Sequence, residues 1–270
     1  MLVMNIYVSR SIIKTLLKKH GYKKRKIQRR LSVQNVQNRN EQFENITKLK
    51  EKYIKDGNPV ISCDAKKGEY IGDLHRLGTA YTKKELASYD HDFSGAAKGT
   101  AIPYALYDIV KNKGHVSIGT SHSTSEFAAD SIKKWWLEIG QYDYPTTKTI
   151  LFLMDGGGGN SSRSFLFKEA LQKIANEIRI EIRIAHYPPY TSKWNPIEHL
   201  LFPHITRAMQ GVLLKSYEMV KQLIEKTTTK TGLIVTANIV NQAYKLGEKT
   251  TKGYKKNMQI AFDEFLGNWN

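Results

Sequence analysis

The run Thr149-Ile150-Leu151-Phe152-Leu153-Met154 constrains this chain more than any other feature, because it carries no charge and no polar alternation. A strand wetted on one face would alternate, so the run reads as a central strand buried on both faces. It is far too short to cross a membrane. Asp155 ends it, and the four glycines Gly156 to Gly159 follow before a helical pattern from about Arg163 to Ala175. A second buried strand is predicted at Val60-Ile61-Ser62-Cys63-Asp64-Ala65, again with an acid among apolar neighbours.

The remaining elements arrange themselves around these two. Ile102 to Val110 and His115 to Thr120 flank the turn Lys111-Asn112-Lys113-Gly114 and predict a hairpin. Ser123 or Thr124 caps a helix running to about Ile139, with Phe127, Ile132, Trp135 and Trp136 as core positions. Gln42 to Lys55 reads as a polar helix with Phe43, Ile46, Leu49 and Tyr53 on one face, broken by Gly57-Asn58-Pro59. Ile178 to Ala185 is a further strand, and a helix begins near Pro196, a favourable first helical position. The order predicts an α/β fold: a mixed sheet flanked by helices, the early strands a meander and the later ones joined by helical crossovers. Three regions are expected: a basic helical arm over 1–57, a catalytic core over 58–211 with an insertion at about 68–98, and an extension over 212–270 that holds a helix around Glu218 to Glu225 and weaker elements.

Charge is distributed unevenly. The 270 residues carry a formal +17, and the first 40 contain eleven Lys or Arg and no Asp or Glu, leaving only +6 for the other 230. A polyanion such as nucleic acid is the expected partner. Within the arm, Ile12, Ile13, Leu16 and Leu17 recur at helical spacing after Ser9 or Ser11, and Gly21 is a plausible stop. Such a helix, with Lys23, Lys24, Arg25, Arg29 and Arg30 beyond it, suits phosphate contact. A solvated arm and a presequence are the alternatives. One helix alone is not a helix-turn-helix. A 40% hydrophobic content excludes wholesale disorder, and the single Cys63 excludes a disulfide framework and a four-cysteine zinc site. With no membrane span and no secretory signal, a cytoplasmic protein is expected.

Three acids lie where chemistry could use them. Asp64 is within a buried strand, Asp155 ends the most hydrophobic one, and Glu198 lies in the first turn of a helix within Ser192-Lys193-Trp194-Asn195-Pro196-Ile197-Glu198-His199. Two adjacent central strands bring Asp64 and Asp155 within reach, and paired buried carboxylates repel unless a divalent cation neutralises them. Oxygen-only ligands favour Mg²⁺ or Mn²⁺, and a pair of such ions can clamp a phosphodiester displacement. Taken singly, a strand-end Asp is as readily a turn cap, and Glu198 suits the helix dipole unaided. The glycines after Asp155 lack the Gly-Lys-Ser/Thr ending of a phosphate loop, so they read as room for close approach beside Asp155 or as a flexible turn. Lys66, Lys67, Arg163, Lys193 and Trp194 surround the acids in sequence and are candidates to hold phosphates or stack a base. Asp90-His91-Asp92, His186 and His199 are candidates for a supporting or a purely structural role.

At these residues the chain resembles the ISAzo13 family of DDE transposases from bacterial insertion sequences. The resemblance is carried by Pro59 to Lys67, His91-Asp92-Phe93, Pro103-Tyr104-Ala105-Leu106-Tyr107-Asp108, Phe127-Ala128 with Trp135-Trp136, Asp155 with its glycines, Pro188 to His199, and Thr227 to Leu233. It implies a ribonuclease H-like core, a DDE triad falling on Asp64, Asp155 and Glu198, two Mg²⁺ or Mn²⁺ ions, and cleavage and strand transfer of DNA. Element ends and target DNA would be partners, with a homo-oligomer as the active complex. The resemblance also implies a truncated N-terminus, the chain beginning near the last helix of a DNA-binding helix-turn-helix region. Ser121 and Ser123 stand where the family tends to have acids beside the histidine, and Ala65 and Pro196 are further departures. An inactive DNA-binding remnant and a purely hydrolytic nuclease are the alternatives.

Overall fold

The computed structural model describes residues 8–25, 37–91 and 93–267. The chain divides into two units, Met1–Asn35 and Val36–Asn270. In the first, α1 (Arg10–Lys19) begins where the Ser9 hydroxyl accepts the Ile12 N–H and stops at Gly21, whose φ of 76° few other residues adopt. Its apolar residues Ile12, Ile13, Leu16 and Leu17 are 43–50% exposed.

The second unit runs α2 (Arg39–Lys55), β1 (Val60–Ala65), β2 (Glu69–Ile71), β3 (Gly99–Asp108), β4 (Lys113–Gly119), α3 (Ser125–Trp135), α4 (Gln141–Asp143), β5 (Thr149–Asp155), α5 (Phe165–Ile178), β6 (Glu181–Tyr187), α6 (Ile197–Leu200), α7 (Phe202–Ala208), α8 (Tyr217–Glu225), β7 (Ile234–Val240) and α9 (Tyr254–Asn257). The sheet order is β6-β5-β1-β3-β4-β7, with β2 paired to β3 beside it. β1, β3 and β4 form the antiparallel meander, while β1, β5 and β6 are parallel. This is the mixed sheet flanked by helices that the sequence predicts.

Strand β5 explains the order. Ile150, Phe152 and Met154 face one way, into a core with α3 and α5, while Leu151 and Leu153 face the other, into a core with α2. All five are fully buried, which is why the sequence shows no alternation. Thr124 caps α3 by accepting the Phe127 N–H, and a π-helical turn, Trp136–Gly140, follows it. Trp135 and Trp136 are core residues, as expected. α2, expected within the basic arm, packs Ile46, Leu49 and Tyr53 against β1, β5 and β6.

The sequence reading of 212–270 as a helix with weaker elements misses β7, which joins the sheet parallel to β4 under α8. Ile234-Val235-Thr236-Ala237-Asn238 interleaves small and polar residues, so it lacks the dense apolar pattern of β5. On one face of this pair His115 meets Thr236, Nδ1 to Oγ1 2.9 Å, and Ser117 lies 3.4 Å from Asn238. Ser121 and His122 hold the chain after β7: Ser121 donates to the Gln242 carbonyl and His122 contacts that of Tyr244. No helix among the described residues is long and apolar enough to cross a membrane.

His115 is only 3% exposed, and burial drives its imidazole from 6.5 down to about 4, against the opposing charge of Glu138. The folded protein therefore refuses a proton that the unfolded chain accepts. Stability from this group is present above pH 6.5 and is lost as pH falls through about 4, an effect on the order of 3 kcal/mol. Urea denaturation at pH 7 and pH 4.5 checks this: His115→Gln should lose less stability over the interval than the parent protein.

Candidate active site

The site begins with strand register. In the parallel pairing of β1 with β5, Ser62 lies beside Leu153 and Cys63 beside Met154. One step further along the same register, Asp64 lies beside Asp155. Alternation puts both on the face that carries Val60, Leu151 and Leu153. Both acids thus leave the sheet at the C-terminal ends of adjacent parallel strands, where ligands of open α/β sheets bind.

Glu198 reaches the same place by a different device. It lies in α6, between fully buried Ile197 and Leu201, which pack on the β3–β4 face of the sheet. The turn before α6 is locked to β1. The Ser62 hydroxyl donates to Asn195 Oδ1, and Asn195 Nδ2 donates to the Cys63 carbonyl at 3.2 Å. The Ile197 N–H in turn donates to Ser62 Oγ at 3.0 Å. Ser62 and Asn195 are both fully buried. Sequence reasoning overlooks them, although Ser62 breaks an otherwise apolar strand and Asn195 precedes a helix-starting proline.

The acids interact. Asp64 is pushed up from 3.8 to about 8, first by burial, then by the charges of Asp155 and Glu198 and a hydrogen bond with Glu198, against a 2.7 Å bond from the Ala65 N–H. Burial also raises Asp155, with the Gly157 N–H opposing and Glu198 adding. No lysine or arginine figures among these influences.

The glycine loop is pinned rather than loose. Gly158 has a φ of 56°, and a Cβ on Gly159 would come within 2.9 Å of the Thr124 carbonyl at the start of α3. Ser125 donates to the Gly159 carbonyl at 3.0 Å, Tyr104 Oη donates to Asn160 Oδ1 at 2.9 Å, and His186 Nε2 donates to the Asn160 carbonyl at 2.9 Å. Asn160 and Tyr104, unremarked in the sequence, are therefore the anchors of the loop that follows Asp155. His186 belongs to that anchor, and the His199 ring bonds the Lys193 carbonyl. His91 stacks on Phe93 with ring centroids 5.5 Å apart, beside exposed Asp90, and Asp92 lies outside the described residues.

The basic candidates divide. Lys66 is bound to Glu69, whose other oxygen takes Arg76 at 2.7 Å. Burial alone would raise the Glu69 carboxyl, but these two cations hold it below its ordinary value. Lys67, Arg163, Lys193 and Trp194 are exposed, as are Lys23, Lys24 and Arg25 in the first unit. Arg29 and Arg30 lie outside the described residues.

Among the described residues, no three His, Cys, Asp or Glu side chains close to metal-ligand spacing. Asp64 nevertheless feels both other acids, whose charges add to burial in raising its carboxyl. The donor set still fits a hard divalent cation: carboxylate oxygens only, crowded enough to raise one another.

Two acids at the ends of adjacent parallel strands and a third on a helix thus meet at one edge of a ribonuclease H-like mixed sheet. Solved structures agree on the fold. A Mos1 transposase paired-end complex with the left transposon end aligns with TM-score 0.54 at 15% identity, over 81% of this chain and 62% of that one. A mariner Mos1 paired-end complex with Mg (TM-score 0.51, 16% identity, 81% and 63% coverage) and the Mos1 strand transfer complex (0.52, 14%, 81% and 62%) align similarly. The chain thus spans somewhat under two thirds of the Mos1 chain. No curated protein matches it. The family described as the Rhodopirellula transposase DDE domain matches residues 1–270, and the chain belongs to it, an ISAzo13-type DDE transposase.

Two outcomes are expected. Mg²⁺ or Mn²⁺ should raise the melting temperature, by about 2.7 kcal/mol of stability at a hundred times the dissociation constant. Because the Asp64 pKa is raised, its contribution to metal-free stability is present below pH 3.8 and lost as pH rises through about 8, so the ion effect should be largest at alkaline pH. In Asp155→Asn the ion effect should largely vanish. Separately, Asn195→Ala removes the acceptor of the Ser62 hydroxyl and one donor to the Cys63 carbonyl, and should cost about 2 kcal/mol in urea unfolding.

Proposed function

We propose that this protein cuts DNA at the ends of a mobile element and joins them to target DNA, using Asp64, Asp155 and Glu198 as its catalytic acids. The observation that carries the reading is the convergence of buried Asp64 with half-buried Asp155 and Glu198, close enough that their charges raise the first two carboxyls.

The residues would act as follows. Asp64 and Asp155 present oxygens from a rigid sheet, and Glu198 presents its own from a helix start fixed to β1 through Asn195. All three would hold Mg²⁺ or Mn²⁺, which when bound supply Lewis acidity and charge neutralisation at the phosphate. In the first reaction a water oxygen bonds to phosphorus and the P–O3′ bond breaks, leaving a 3′-hydroxyl and a 5′-phosphate. In the second, that 3′-oxygen bonds to a target phosphorus and the target's P–O3′ bond breaks. The exposed Lys67, Arg163 and Lys193, with the basic residues after α1, would hold backbone phosphates and position the strands without reading sequence. Lys66 reaches the phosphates only by releasing Glu69. Joining two ends to one target calls for more than one active site, so a homo-oligomer is the proposed working form.

Nicking of supercoiled plasmid in Mg²⁺ or Mn²⁺ tests the site. Asp155→Asn should lose activity by at least about 100-fold, the size of removing one charge-stabilising group. Joined products from element-end DNA would establish strand transfer. Nicks without joining would instead indicate a hydrolytic nuclease.

A further inference from the structure

Close to Glu198 in sequence, two aromatic rings lie side by side between two cations. The Arg39 guanidinium lies 6.0 Å from the Phe43 ring, Phe43 meets Trp194 edge-on with centroids 6.2 Å apart, and Lys193 Nζ lies 5.5 Å from the Trp194 ring. Trp194 remains 57% exposed despite these neighbours. The loop before it holds Tyr190 at a φ of 61°, a left-handed conformation disfavoured for a bulky side chain, and leaves it 71% exposed. Buried Thr191 and Asn195 anchor the turn between the two rings and α6.

Phe43 packs against the core beneath α2 and meets Tyr187 with centroids 6.1 Å apart, so the inner ring of the row is structural. The core needs neither exposed ring, and a strained backbone that turns an aromatic outward marks a surface kept for contact. Nor does its chemistry suit an apolar protein partner, because each end carries a cation. It suits single-stranded nucleic acid, in which flat bases alternate with phosphates: rings stack bases while Lys and Arg hold the backbone. The placement is specific as well. Trp194 precedes Glu198 by four residues, at most about 14 Å of chain, so one short piece of strand can touch both.

We infer that Trp194, flanked by Lys193 and the Arg39–Phe43 pair, is a stacking subsite for an unpaired base of the DNA strand whose phosphodiester lies at the three acids. The inference rests on the DNA-cleaving reading above and assigns that site a second requirement: the strand must be unpaired on one side of the cut. Trp194 is a positioning residue, and the acids remain complete without it.

The test uses the full-length chain carrying Asp155→Asn, so that bound DNA stays intact. The probes are a duplex with a short unpaired overhang, 2-aminopurine at its first unpaired position, and a fully paired control of the same length. The expected results are quenching of the probe on binding, loss of that quenching in Trp194→Ala, and its retention in Trp194→Phe. Trp194→Ala should bind the overhang duplex roughly tenfold more weakly and the paired control equally well. Equal quenching and affinity with and without the indole would overturn the subsite while leaving DNA binding intact. Equal weakening on both DNAs would overturn it in favour of a general phosphate contact or a folding defect. A changed oligomeric mass with unchanged DNA affinity would assign the row to a protein interface instead. Failure of the parent to bind either DNA would defeat the DNA-cleaving reading, and the subsite with it.

Discussion

Everything at the site depends on the parallel pairing of β1 with β5. Register in a sheet is all or nothing, since a slip of one residue sends each side chain to the opposite face. Here the apolar residues of β5 fix it, with alternate members committed to separate cores on the two faces. Only with that register kept do Asp64 and Asp155 emerge together. Hydrophobic burial along the strands therefore holds two acids side by side against their mutual repulsion.

The third acid is attached by a weaker mechanism. α6 is four residues long, and a helix so short has little stability of its own. It is held by Ile197 and Leu201 in the core beneath it, and by Ser62 and Asn195 at its start. The same serine that interrupts β1 thereby ties the Glu198 helix to the strand bearing Asp64. Because Ser62 and Asn195 are fully buried and their polar atoms satisfy one another, the tie has one arrangement.

Much of this was legible in the sequence, for identifiable reasons. β5, β1, the hairpin and the capped helices announce themselves through local pattern, and Asp64 and Asp155 stand out because carboxylates rarely interrupt apolar strands. What stayed hidden is non-local. β7 has mixed composition and becomes a strand through its pairing with β4, more than a hundred residues earlier. Lys66 looked available for phosphate until the fold placed Glu69 and Arg76 around it. Asn160, Tyr104 and Asn195 are ordinary polar residues in sequence, and only their partners distant in the chain reveal them as anchors. The glycines after Asp155 suggested either close approach beside that acid or a flexible turn, whereas the fold uses Gly159 for close approach to the start of α3.

The late arrival of β7 has a consequence for synthesis. All three acids lie at or before residue 198, yet the strand that flanks β4 spans Ile234–Val240. A nascent chain that has just released Glu198 into solution therefore still has an open β4 edge, with His115 and Ser117 lacking their neighbours. Non-local strand pairing is slow, and an unpaired edge invites association with other chains. On the ribosome the three acids are therefore released before the β4 edge is covered.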